Sequence, residues 1–250
     1  MSAKSAIQVR SLAKEFRLRH AGTGSLKGIL FRRRHSQVET LQVLKGVSFD
    51  VNQGETVAIV GRNGAGKSTL LSLLARVYKP TSGEVRVHGR LAPLLELGAG
   101  FHPELTGYEN VFFNGVILGL SRKEMAARID QIIEFSELKK HIDVPVRTYS
   151  SGMLARLGFS VAVHVDAEVL LVDEVLAVGD LDFERKCFAT LDDFKAKGGT
   201  ILFVSHDLDA IKRVADRCIW LKDGQIEAEG HPDDVLDRYT LAFSDPRPVR

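Results

Sequence analysis

Gly61-Arg62-Asn63-Gly64-Ala65-Gly66-Lys67-Ser68 matches G-x-x-x-x-G-K-[ST], and few eight-residue stretches restrict a fold so tightly. The flanks supply the context that the pattern needs. Glu55-Thr56-Val57-Ala58-Ile59-Val60 reads as a buried strand, and Thr69-Leu70-Leu71-Ser72-Leu73-Leu74-Ala75 reads as a helix. Glycines let the backbone curl until consecutive N–H groups face one anion, and the helix N-terminus adds partial positive charge. Lys67 then reaches the β- and γ-phosphates of a nucleoside triphosphate, while Ser68 offers its hydroxyl to Mg²⁺. The phosphate-contacting residues are therefore Gly61, Arg62, Asn63, Gly64, Ala65, Gly66, Lys67, Ser68 and Thr69.

A chain of 250 residues with 44% hydrophobic content can bury a core and fits one or two domains. No run approaches the eighteen apolar residues of a membrane span, and Met1-Ser2-Ala3-Lys4-Ser5 leads into an alternating strand rather than a signal core. A soluble cytosolic chain is expected. Cys187 and Cys218 lack metal-ligand spacing and read as small buried side chains in a reducing compartment. Net charge is only +2, but residues 1–40 hold nine Lys or Arg against Glu15 and Glu39, so this part carries +7 and the rest −5. Residues 17–40 form a basic insertion in which Leu26, Ile29, Leu30 and Phe31 interleave with Lys27, Arg32, Arg33 and Arg34. A solvated loop, an anionic membrane surface and nucleic acid are all compatible with that pattern.

Alternation at Ile7 and Val9, and again at Val47, Phe49 and Val51, predicts half-buried antiparallel strands on either side of the insertion. Lys79-Pro80-Thr81-Ser82-Gly83 predicts a turn, followed by a strand over 84–88. Thr106-x-x-Glu109 and Ser121-x-x-Glu124 are capping boxes. They precede apolar sets at Val111, Phe112, Val116 and Ile117, and at Ala126, Ile129, Ile132 and Ile133. A helical insert thus occupies about 100 to 165. Apolar runs at 168–172 and 200–204 resume βαβ units, Asp223-Gly224 marks a hairpin, and Pro232 opens a last helix through Tyr239.

Val169-Leu170-Leu171-Val172-Asp173-Glu174 ends a strand on two acids, where open α/β sheets place ligands. Asp173 can hold Mg²⁺, and Glu174 can accept a proton from the water that attacks the γ-phosphate. Val204-Ser205-His206-Asp207 closes the next strand, which sets His206 to donate a hydrogen bond to the same phosphate.

The order of these motifs, with Tyr149-Ser150-Ser151-Gly152-Met153 opening a helix that carries Arg156, resembles the ATPase domain of ABC transporters along essentially the whole chain. The resemblance implies an α/β P-loop (RecA-like) fold in one ABC ATPase domain. Residues 1–97 and 166–250 would form the nucleotide-binding core with an N-terminal antiparallel β subdomain, and 98–165 an inserted helical subdomain. It also implies ATP and Mg²⁺, and a homodimer in which Ser150, Ser151 and Gly152 bind the partner's ATP. Ser150 and Gly152 match the family's Leu-Ser-Gly-Gly-Gln, whereas Ser151 and Met153 depart from it. Asp180 matches the D-loop acid, and Phe16 the aromatic on which adenine stacks, although Phe16 in the core fits the sequence as well. Glu96 falls where the family has its Q-loop glutamine, and a carboxylate there can still ligate Mg²⁺.

Residues 95–107 together with 149–153 further resemble the ATPase subunits that export O-antigen, capsule or teichoic-acid polysaccharides. This implies an integral-membrane permease as partner, a peripheral position on the cytoplasmic face of the inner membrane, and a lipid-linked polysaccharide near the basic insertion. No nucleic acid is then expected. Another ABC transporter, or a soluble ABC protein acting on ribosomes or DNA, are the competing readings. Many O-antigen ATPases carry a further C-terminal carbohydrate-binding domain, so a chain ending shortly after Tyr239 reads either as a short type or as truncated.

Overall fold

The computed structural model describes residues 4–19, 38–95, 98, 100–173 and 180–244. The first half of the chain runs β1 (Ser5–Arg19), β2 (Val38–Asn52), β3 (Thr56–Val60), α1 (Lys67–Leu74), β4 (Ser82–Val87), β5 (Leu91–Leu94), α2 (Gly107–Ile117) and α3 (Arg122–Ser136). The second half runs α4 (Ser151–Val163), β6 (Val169–Val172), α5 (Leu181–Ala196), β7 (Thr200–Val204), α6 (Leu208–Val214), β8 (Arg217–Lys222), β9 (Gln225–Gly230) and α7 (Pro232–Ser244).

These strands form two sheets. β2, β1 and β4 make an antiparallel sheet in that order, so the alternating N-terminal segments do pair across the basic insertion. The second sheet has the order β5-β6-β7-β3-β8-β9, parallel from β5 to β8, with β9 returning antiparallel on β8. Its central strands β6, β7 and β3 are buried throughout and almost wholly apolar because both faces are covered.

Side chains alternate across a strand, so each central strand feeds two cores. Val57 and Ile59 of β3, Val169 and Leu171 of β6, and Ile219 and Leu221 of β8 face α1 and the antiparallel sheet. Ala58, Val60, Leu170, Val172, Cys218 and Trp220 face the other helices. α1 lies between the two sheets with Leu70, Leu71, Leu73 and Leu74 buried, each stabilising the fold by about 1.5–3 kcal/mol. The helix after the phosphate loop is thus pinned from two sides.

Both capping boxes form. The Thr106 hydroxyl accepts from Glu109 N–H at 3.2 Å and the Ser121 hydroxyl from Glu124 N–H at 3.2 Å, and each Glu carboxylate returns the bond. Those bonds hold the Glu109 and Glu124 carboxyls below the usual carboxylate range. The two apolar sets behind the caps are only partly buried. Val111 is fully covered, but Val116 and Ile117 are exposed because α3 and α4 cover one side of α2. On α3 the inward residue is Met125 rather than Ala126, and it packs so close to Gly115 that a Cβ there would lie 2.1 Å from its sulfur.

Three boundaries differ from the sequence expectation. Ser82 and Gly83 belong to β4, since Gly83 takes φ +80° against the carbonyls of Arg10 and Ser11 where side chains would collide. β5 is a strand despite Pro93, which is tolerated because β5 is an edge. α7 continues past Tyr239 to Ser244. Cys187 and Cys218 are buried free thiols, and burial pushes each pKa up to about 12.

Candidate active site

The loop after β3 is shaped by two close approaches. A Cβ at Gly61 would sit 2.2 Å from the Leu221 carbonyl oxygen, so only glycine lets the loop pass the end of β8. Gly66 is the N-cap of α1 at φ +105°, a conformation that β-carbons disfavour, and a Cβ there would also meet the Leu44 side chain at 2.8 Å. Between them the Ala65 N–H donates to the Arg62 carbonyl at 3.1 Å, and the hairpin turn after β8 buttresses the loop through Gly224 N–H to the Ala65 carbonyl at 3.2 Å.

Lys67 is only 7% exposed, and its ammonium donates to the carbonyls of Gly61 at 2.8 Å and Arg62 at 3.3 Å. It opens α1, whose first-turn N–H groups lack intrahelical acceptors. Asn63, Gly64, Gly66, Lys67, Ser68 and Thr69 line a recess of about 710 Å³, closed on other sides by Leu41, Gln42 and Val43 of β2 and by Asp173. Asp173 also lines an adjoining recess of about 150 Å³ with Ser205 and His206, so it links the phosphate loop to the end of β7. A hydroxyl and a carboxylate facing one anion-binding recess suit Mg²⁺, which is held by one or two protein oxygens together with substrate phosphates. Among the described residues no group of three His, Cys, Asp or Glu side chains lies close enough to hold a metal by itself.

Phe16 is half-buried rather than a core residue, and it pairs across the strands with Leu41 at the rim of the recess. Its ring meets Tyr78 edge to face at 5.6 Å, and the Lys14 ammonium lies 4.9 Å from its centroid. Sequence reading passes over Lys14 and Tyr78 because neither belongs to a motif. It also passes over Asn110, which is buried, accepts from His102 N–H at 2.7 Å and donates to the carbonyls of His102, Leu105 and Thr106, tying down the loop before α2.

Ser150, Ser151 and Gly152 do not line that recess. Ser150 is exposed and caps α4, its hydroxyl accepting from Met153 N–H at 3.2 Å. Six residues on, Arg156 reaches Asp180 at 2.5 Å and Glu137 at 3.5 Å, and its guanidinium carbon lies 4.9 Å from the Phe183 ring centroid. Asp180 caps α5 through Phe183 N–H at 3.0 Å, and that bond together with Arg156 lowers its pKa. Glu96 and Glu174 lie outside the described residues, as does most of the basic insertion.

A strand-loop-helix phosphate cradle, a histidine just past the end of the adjacent parallel strand and an acid just past the end of the strand beyond it define a P-loop nucleotide-binding protein. The family model described as "ABC transporter" matches residues 44–177. The chain belongs to the ABC transporter family. It is 48% identical over 246 residues to an O-antigen export system ATP-binding protein, RfbB, of Klebsiella pneumoniae, covering 95% of this chain and 98% of that one. It is 47% identical to a Myxococcus xanthus protein of the same name, over 88% of this chain and 50% of that one. A teichoic acids export ATP-binding protein, TagH, of Enterococcus faecalis is 43% identical over 93% of this chain and 52% of its own length. Among solved structures, an ATP-binding subunit of an ABC transporter superposes with TM-score 0.75 at 24% identity, covering 95% and 94% of the two chains. A dimeric ATP-binding cassette in a post-hydrolysis state with ADP and Pi superposes with TM-score 0.72 at 22% identity, covering 90% and 98%.

Proposed function

We infer that this chain is the ATP-hydrolysing subunit of an exporter that moves a lipid-linked polysaccharide across the inner membrane. The observation that carries the reading is 48% identity, along nearly the whole of both chains, to an O-antigen export ATP-binding protein, joined to a phosphate loop whose complement lies elsewhere on the surface. Two copies face each other with ATP between them. In each site Lys67 and the N-terminus of α1 hold the β- and γ-phosphates, and Phe16 stacks on the base. Ser68 and Asp173, with Glu96, would hold Mg²⁺, which when bound neutralises charge that develops on the phosphates. Glu174 orients water and takes its proton, and His206 donates to the γ-phosphate. The N-terminus of α4, capped by Ser150, with Ser151 and Gly152, meets the partner's γ-phosphate, and Asp180 approaches the shared interface.

The helical segment 98–165 acts as the arm that carries this second contact. Its α2 leaves Phe113 54% and Ile117 73% exposed, an apolar side suited to an integral-membrane permease. Among the described residues no helix is long and apolar enough to cross a membrane; attachment at the cytoplasmic face would run through that partner. The basic insertion over 17–40 contacts anionic headgroups or the diphosphate of the lipid-linked glycan. The test is to express Lys67→Ala in the native cell: a lipid-linked glycan should accumulate inside, and export that continues unchanged rejects the reading.

A further inference from the structure

The outer wall of the phosphate loop leans on the far end of the described chain. α7 starts at Pro232, sinks Val235 and Leu236 into the core beside β8, and ends with Tyr239 and Phe243 against Trp220. Ring centroids are 5.0 Å apart for Tyr239 and Phe243, 5.5 Å for Trp220 and Tyr239, and 6.2 Å for Trp220 and Phe243, distances at which edge-to-face rings attract. Trp220 is 3% exposed, so Phe243 rests on a buried base while remaining 43% exposed itself. The Arg62 guanidinium lies over the Phe243 ring with its carbon 5.3 Å from the centroid, within reach of a cation–π contact.

Arg62 is the second residue of the loop, and its backbone does two jobs there. Its carbonyl accepts the Ala65 N–H that closes the turn and, at 3.3 Å, the Lys67 ammonium. A shift of Arg62 therefore disturbs both the curl of the loop and the position of its lysine. Among the described residues the Arg62 guanidinium makes no ion pair, so the Phe243 ring is what restrains this long side chain. Arg62, Asn63, Gly64, Trp220, Lys222 and Phe243 share one groove on this side of the loop, about 450 Å³ in volume.

We propose that Phe243 is a positioning residue for ATP binding: through Arg62 it braces the phosphate cradle from outside and ties the end of the C-terminal helix to nucleotide affinity. A ligand or chain segment that lifted Phe243 off Arg62 would weaken ATP binding without entering the site. The proposal rests on nucleotide binding at the phosphate loop and is independent of any exported cargo.

The experiment measures Mg-ATP affinity of the purified full chain by titration calorimetry. Phe243→Leu keeps apolar bulk against Trp220 and Tyr239 but removes the π face. It should bind ATP about two- to fivefold more weakly with an unchanged Tm. Phe243→Tyr should bind as the wild type does. Arg62→Leu should lose a similar factor, and the double variant should be no weaker than Arg62→Leu alone, because both changes remove one contact. Wild-type affinity in Phe243→Leu, or losses that multiply in the double variant, would overturn the proposal. If Phe243→Leu also lowers Tm, the double variant still decides, since independent packing losses multiply and a shared contact does not. A wild-type chain that failed to bind ATP would instead sink the phosphate-loop reading.

Discussion

The phosphate loop and the signature turn both present a helix N-terminus, yet they are held in opposite ways. α1 is clamped between two sheets with four leucines buried, and its loop threads past the end of β8 with no room for a side chain at Gly61. α4 starts on the surface with an exposed serine; one capping bond ties its first turn, and Arg156 in its second turn pairs with Asp180 and Glu137. A buried cradle keeps its geometry before nucleotide arrives. An exposed turn secured by polar ties can move as a unit, which is what the proposed site shared between two copies would require of it.

The largest break in this comparison comes from Lys67→Ala, which removes a buried cation from the cradle. Turnover should fall by about 10²–10³-fold or more, by analogy with deleting one preorganised electrostatic group, and a steady-state ATPase assay near wild-type rate would refute the assignment. Gly61→Ala attacks the cradle's packing instead. Its Cβ would meet the Leu221 carbonyl, costing about 1–3 kcal/mol and lowering Tm by several degrees, which scanning calorimetry reads directly. On the signature side, Ser150→Ala should cost only about 1 kcal/mol of stability through the lost cap. ATP affinity of the monomer should stay the same while ATP-dependent dimerisation drops, and equal loss of both would show that the two halves are not separable. Replacing Phe113 and Ile117 by Asp should release the permease in co-purification with little change in ATP affinity or Tm, since both side chains already face solvent.

The smallest effect is a pH dependence confined to the helical side. His164, at the end of α4, is held below its ordinary pKa of 6.5 by burial, with Arg128 and Lys186 adding repulsion against its charged form. A depressed folded pKa means that the unfolded chain binds the proton more readily. Stability is therefore full above about pH 6.5 and is lost as pH falls through that value toward the lower folded pKa. Tm should decline between about pH 7 and 5.5 in the wild type and flatten in His164→Phe; parallel curves would exclude His164 as the cause. Glu109 and Glu124 are held below the usual carboxylate range and titrate only in stronger acid.

Local patterns were readable wherever the chain reports its own surroundings. The eight residues of the phosphate loop, the two capping boxes and the Asp223-Gly224 hairpin each formed where their residue types require, because caps and tight turns depend on bonds a few residues apart. The apolar set on α2 was legible, but the exposure of Val116 and Ile117 was not, since periodicity gives a helix an apolar side but does not say how much of it a neighbour covers. β5 went unread because Pro93 argues against a strand unless that strand is known to be an edge.

Sequence alone determined that this chain binds a nucleoside triphosphate through a strand-loop-helix cradle, because the backbone conformation of such a loop is dictated by glycines and one lysine. Tertiary structure alone decided which distant residues complete or brace that cradle. Asp173 reaches it because β6 lies one strand beyond β7, which itself pairs with β3, and Ser150, which opens α4, does not line it. Leu221, Gly224 and Phe243 support the loop from more than 150 residues further along the chain. Such contacts follow from strand order and helix direction, which are set by how two cores close around one sheet rather than by any short run of residues.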